Sequence, residues 1–144
     1  MRLSTSRLLT NSIIVVQLSK NQILEPDTDI VIDTSALIAV IVGEHQRSKI
    51  TTITAGNTLI GPGSIPWEIG NAFSAMFKQD RITLDDARKG LKIFQSIPLR
   101  YVETDIPNAL QLSKEIKMYA YDAYLLDCAI RYKSPLLTLD QAFW

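Results

Sequence analysis

The sequence predicts an α/β fold in three layers, with helices on both faces of a central parallel sheet of about four strands. Three observations carry that reading. Short apolar runs alternate with longer stretches that show helical period and helix-capping chemistry. The run Ile30-Val31-Ile32 is apolar throughout, as in a parallel strand buried on both faces. Two runs, Ile30 to Ile32 and Pro135 to Leu139, end directly in an aspartate. With 144 residues, 47% of them hydrophobic, the chain has enough material for one domain with its own core.

Taken in order, residues 1–28 are polar, rich in Ser, Thr and Asn, and poorly periodic, and they read as an extension. Within it, Ile13 to Leu18 is the one candidate for an extra strand. The organised domain is expected over 29–144. Its first strand, Ile30 to Ile32, leads to a helix over Ala36 to Val42 that stops at Gly43. A second helix is expected over His45 to Ala55, ended by Gly56-Asn57, and a second strand over Thr58 to Ile60. Gly61-Pro62-Gly63 reads as a break. Ser64 is placed to cap a helix over Ile65 to Lys78, with Pro66 in its first turn, where the missing N–H costs nothing. Thr83 is placed to cap the next helix, with Asp85 and Asp86 at its positive end, and Pro98 closes it. Leu99 to Val102 is a third strand, Asp105 to Met118 and Tyr121 to Tyr132 are helices, and Pro135 to Leu139 is the fourth strand.

Composition excludes several classes. The one cysteine, Cys128, allows neither an intrachain disulfide nor a cysteine zinc site, and fits a reduced, cytoplasmic setting. It falls within a helix and is expected to be packed; His45, the one histidine, is expected to be exposed. No Gly-x-Gly-x-x-Gly and no phosphate-cradling Gly-x-x-x-x-Gly-Lys-[Ser/Thr] occurs. The apolar runs fall far short of the roughly 20 residues that span a bilayer, so no membrane span is expected. Arg2 and Arg7 before Ile13 to Val16 make no signal peptide, because the apolar stretch is too short and no small-x-small site follows. Fifteen basic residues balance fifteen acidic ones, so net charge neither supports nor refutes a nucleic-acid partner. Lys78, Arg81, Arg88, Lys89 and Lys92 read either as a basic rim for RNA phosphates or as a solvated helical face. Tyr119, Tyr121 and Tyr124 read first as helix packing and second as platforms for bases.

The chemistry lies in the acids. In a parallel α/β sheet, ligands sit beyond the carboxyl ends of the strands, where Asp33 and Asp140 both fall. Alone, each has the plainer reading of a cap or turn residue; together they are more informative. Asp122 shares its helical face with Leu125, Leu126, Ala129 and Ile130, all within about 80° of it. A charge on that apolar stripe is costly unless paired or metal-bound, and the plainer reading is an acid at the positive end of a helix. Glu68 also falls in a first turn, with small neighbours Asn71, Ala72 and Ala75 leaving room beside it. Asp127, about 140° round the helix from Asp122, is expected to face away from the cleft as a solvated or salt-bridged acid. Clustered carboxylates raise one another's pKa and call for a cation. Their hard oxygens suit Mg²⁺ or Mn²⁺, which can activate water against a phosphodiester.

Four motifs in order, Ile-Val-Ile-Asp33-Thr34-Ser35-Ala-Leu, Pro66-Trp67-Glu68-Ile-Gly-Asn71-Ala, Tyr121-Asp122-Ala123-Tyr124 and Pro135-Leu-Leu-Thr-Leu-Asp140, resemble the PIN-domain family over about residues 30 to 143. The likeness is greatest to the toxin nucleases of VapBC-type toxin–antitoxin pairs. Order and spacings of 35, 54 and 18 residues between the acids make the resemblance specific. It implies metal-ligating and catalytic roles for Asp33, Glu68, Asp122 and Asp140. It implies a supporting hydroxyl at Thr34 or Ser35 and a supporting polar group at Asn71. It further implies RNA as substrate, Mg²⁺ or Mn²⁺ as cofactor, a homodimer, and a cognate antitoxin that silences the cleft. Relatives continue past the position of Phe143-Trp144 into a final helix and strand, so these elements are expected to be missing here, and an inactive PIN-like binding module is the alternative. A phosphohydrolase of the haloacid-dehalogenase type ranks third, because it needs an Asp where Ser35 stands.

Overall fold

The computed structural model describes residues 14–16 and 28–140. Its elements run β1 (Ile14–Val16), β2 (Asp29–Ile32), α1 (Thr34–Val42), α2 (Arg47–Thr54), β3 (Thr58–Pro62), α3 (Ile65–Lys78), α4 (Leu84–Ser96), β4 (Leu99–Val102), α5 (Ile106–Ile116), α6 (Ala120–Arg131) and β5 (Leu136–Thr138). The strands form one sheet in the order β1-β5-β2-β3-β4, in which β5, β2, β3 and β4 are mutually parallel and β1 joins β5 antiparallel. Ile13, Gln17 and Leu18 of the expected extra strand, and the terminal Phe143-Trp144, lie outside the described residues.

The three layers follow from strand alternation. Ile30 and Ile32 pack into one apolar cluster with Leu37, Ile69, Phe73 and Phe94, so α1, α3 and α4 cover that face. Val31 points the other way, into a second cluster with Leu125, Leu126, Ala129 and Leu112, so α5 and α6 cover the opposite face. Each fully buried aliphatic side chain here contributes roughly 1.5–3 kcal/mol through removal from water. Gly90 lets α4 approach closely, since a Cβ there would meet Ile41 Cγ2 at 2.8 Å and Phe73 Cζ at 3.0 Å. Among the described residues no helix is long and apolar enough to cross a membrane.

Several sequence expectations are corrected. β3 continues through Gly61 and Pro62 rather than breaking before them. Its pairing with β2 ends at Ile60, so beyond that point it bonds only to β4, and the missing Pro62 N–H leaves no gap in a central ladder. Gly61 is required there, because a Cβ would come within 2.2 Å of Ile65 Cδ1 as α3 turns back over the strand. Ser64 occupies the start of α3 but makes no side-chain cap bond. Thr83 does cap α4, in a reciprocal box with Asp86 that holds the Asp86 carboxyl below its usual range through the Thr83 N–H. The second helix starts two residues later than expected, at Arg47.

Candidate active site

The sheet order places the site. From β2 the chain moves outward to β3 and β4, then returns through α5 and α6 to β5 on the other side of β2. The carboxyl ends of β2 and β5 therefore lie side by side at the point where strand order reverses, the usual crevice of an open α/β sheet. Their register pairs Ile32 with Leu137, and Asp33 N–H donates to Leu137 O at 3.0 Å. Asp33 thus meets Thr138 and Asp140, residues more than a hundred positions away in the chain.

Around this point opens a cleft of about 560 Å³ lined by Asp33, Thr34, Ser35, Glu68, Asn71, Asp122 and Asp140, together with Trp67, Ala72 and Tyr121. All four acids singled out from the sequence line it, and so do the three polar neighbours. α3 brings Glu68 and α6 brings Asp122, each in the first turn of its helix, where the unsatisfied N–H groups give a partial positive charge. Among the described residues no Lys, Arg or His lines the cleft.

Asp33 occupies the N-cap position of α1, but its side chain makes no capping bond. Its Oδ2 instead accepts from Thr138 Oγ1 at 2.6 Å and from Ser35 Oγ at 2.9 Å. Leu139 N–H donates to Ser35 Oγ at 3.0 Å and Asp140 N–H donates to Thr138 Oγ1 at 2.9 Å. Each hydroxyl therefore receives one proton from the β5 end and gives one to Asp33, which fixes the carboxylate's orientation. Ser64 Oγ does the same for Glu68, donating to Oε2 at 2.9 Å. Thr138, fully buried, did not stand out in the sequence, where a Thr in an apolar strand reads as filler. Its signal was the Thr-x-Asp spacing, which puts Thr138 and Asp140 on one side of the strand end.

The electrostatics are those of acids crowded without a cation. Burial pushes the Asp33 carboxyl up from its ordinary value, the Thr138 and Ser35 hydroxyls oppose that, and the Asp140 charge adds to it. Burial also raises Glu68, against the Ser64 bond, with Asp33 and Asp122 adding repulsion. Asp122 is raised to about 6, by burial first and then by Asp140 and Asp33. The buried Thr34 hydroxyl also lies close enough to Glu68 to lower its carboxyl slightly, although it makes no hydrogen bond of ordinary geometry. Among the described residues no three Asp, Glu, His or Cys side chains close into a compact metal cage. The donors nonetheless fit a hydrated hard cation: they are all oxygens, they repel one another, and Mg²⁺ commonly takes one or two carboxylates and keeps its waters.

The remaining sequence candidates fall elsewhere. Asp127 does not line the cleft; of its two expected settings it takes the salt-bridged one, and it is buried because α5 covers that side of α6. It accepts from Asn108 Nδ2 at 2.6 Å and from Asp105 N–H at 3.3 Å, and pairs with Arg131 at 3.7 Å. His45 is exposed. Cys128 is buried and its thiol is pushed up to about 12, which makes it an inert packing residue. Lys78, Arg81, Arg88, Lys89 and Lys92 are all exposed, and Lys89 pairs with Asp85 at 3.1 Å.

Comparison with known proteins is consistent with this architecture. The family model described as the PIN domain matches residues 30–143. The crystal structure of PAE2754 from Pyrobaculum aerophilum is similar, with a TM-score of 0.62 and 21% identity, over 80% of this chain and 76% of that one. At that identity the likeness speaks for the fold alone. No curated protein matches the chain.

Proposed function

The chain belongs to the PIN-domain family, whose members are in general nucleases, and from that premise we propose that it is a metal-dependent endoribonuclease. The observation that carries the reading is the cleft at the β2–β5 switch point, which four carboxylates line together. In this reading Asp33, Glu68, Asp122 and Asp140 hold Mg²⁺ or Mn²⁺ through their oxygens. The bound cation supplies positive charge to the phosphodiester and lowers the pKa of water.

The chain's own groups supply order. Thr138 and Ser35 hold Asp33 in one orientation, and Ser64 holds Glu68. Thr34 Oγ1, buried and unpartnered at the cleft wall, is a hydroxyl available to a phosphate oxygen or an ordered water. The exposed Asn71 amide offers a further donor at the rim. Hydrolysis then transfers a water oxygen to phosphorus, breaks one ester P–O bond, and gives the departing oxygen a proton. Asp33→Asn and Asp122→Asn are each expected to lower Mn²⁺-dependent RNA cleavage by roughly 10²-fold or more with the fold intact by circular dichroism. Cleavage retained in both variants overturns the assignment.

We further propose that the enzyme is the toxin of a cytoplasmic toxin–antitoxin pair, a homodimer silenced by an antitoxin segment entering the cleft. A small antitoxin-like reading frame beside the gene supports this, and a lone gene argues against it. The open spacing of the acids favours a second reading, a PIN-like binding module without catalysis. Folded protein that shows no heat on Mn²⁺ titration selects it.

A further inference from the structure

The acidic cleft does not end at Trp67 and Tyr121. Both side chains also line a second hollow of about 420 Å³, completed by Gly63, Ser64, Val102, Thr104, Ile106 and Tyr124. Ser64 joins the two directly, since it borders the groove while its hydroxyl holds Glu68 in the cleft. The two hollows have opposite chemistry, carboxylates in one and rings and aliphatic groups in the other. Trp67 is 73% exposed and Tyr121 51% exposed, large apolar surfaces left in water at the seam. Tyr121 meets Tyr124 edge to face at 5.7 Å, which holds that pair of rings in a fixed mutual geometry.

Charge decides what fits. Among the described residues no Lys, Arg or His lines either hollow, so these walls do not offer the usual source of affinity for a nucleic acid, phosphate against a basic groove. A substrate phosphate in the cleft relies on the metal, and the rest of its binding has to come from somewhere else. Base stacking on aromatic rings supplies such binding without any charge, but only to bases that are not already paired and stacked. Resting on the ribonuclease reading of the cleft, we infer that the Trp67–Tyr121–Tyr124 groove is a base-stacking subsite. It receives one unpaired base next to the scissile phosphate.

The test uses the full chain, Mn²⁺, an unstructured oligoribonucleotide, the same strand annealed to its complement, and a series carrying one abasic residue at successive positions. The wild type is expected to cleave the single strand and not the duplex. One abasic position is expected to raise KM roughly 5- to 150-fold, the range for losing one base–aromatic stack. Trp67→Ala is expected to show that raised KM with intact RNA, with little change in kcat, and to lose nothing more at that abasic position. Trp67→Phe is expected to regain most of the affinity. Trp67 and Trp144 are the two tryptophans, so in Trp144→Phe protein without metal the Trp67 emission is expected to be quenched by the single strand alone. If the wild type cleaves no RNA, the cleft reading fails and this inference falls with it. If cleavage proceeds with unchanged KM in Trp67→Ala, only the subsite is overturned. If Trp67→Ala instead dissociates a dimer without changing KM, the groove is a contact between copies and the inference is equally overturned.

Discussion

Two aspartates lie deep in this protein, and they have opposite surroundings. Asp127 is 1% exposed and has an arginine, an asparagine amide and a backbone N–H turned toward it. Asp33 is 5% exposed and has two hydroxyls and three other acids for company. Burial of a carboxylate is costly in either place. At Asp127 the protein supplies the compensating partners itself, and Arg131 goes on to Asp105 at 3.0 Å, so the cluster ties α5 to α6. At Asp33 the partners orient the charge without neutralising it. A buried acid with its own cation belongs to the architecture; a buried acid facing other acids is the setting in which the proposed metal site is argued.

Substitution separates the two regions. The largest effect is expected from Asp33→Asn, a loss of order 10²–10³ in cleavage rate, as when one preorganised electrostatic group is removed. That variant is expected to melt no lower than the wild type in the absence of metal. Asp127→Ala is expected to do the reverse. It strands the Asn108 amide and weakens the hold on Arg131, costing about 2–3 kcal/mol, less than a fully orphaned buried charge because Asp105 remains. A thermal melt is expected to fall by roughly 5–10 °C, with the rate per folded molecule unchanged. Asp127→Ala that loses activity at full stability breaks the comparison.

Thr138→Val sharpens it. The shape stays nearly the same while the hydroxyl linking Asp33 to the Asp140 N–H is lost. A 10- to 100-fold loss in metal affinity or activity is expected, the usual scale for groups that orient ligands, and Thr138→Ser is expected to restore most of it. The smallest effect concerns pH. Burial and the neighbouring acids push the Asp122 carboxyl up to about 6 in the folded protein, from an ordinary value of 3.8. The folded state therefore holds the proton more tightly, so this contribution to stability is full below about pH 4 and gone above about pH 6. Metal-free melts are expected to show a rise at the acid end of that window that Asp122→Asn removes.

Much of this was legible from residue order. Ile30 to Ile32 and Leu136 to Leu139 are apolar runs ending in acids, and parallel pairing makes such ends neighbours. Asp122 announced itself by sitting on an apolar helical stripe. What escaped was tertiary. The burial of Asp127 escaped because a helical wheel does not show that α5 covers the far side of α6. Thr138 looked like strand filler because its partner lies 105 residues away. Gly61 and Pro62 looked like a break because turn residues are also tolerated where a strand has lost one neighbour. Trp67 drew no notice beside Glu68, since its meaning depends on a groove assembled from β4, α5 and α6.

The proposed function depends on the cleft acids acting together on a cation. Calorimetric titration of Mn²⁺ into the folded protein at neutral pH, beside Asp33→Asn and Asp122→Asn, measures that most directly. Saturable binding in the wild type that is lost or strongly weakened in both variants is the expected result. No binding to the folded wild type, or equal binding in all three proteins, would contradict it.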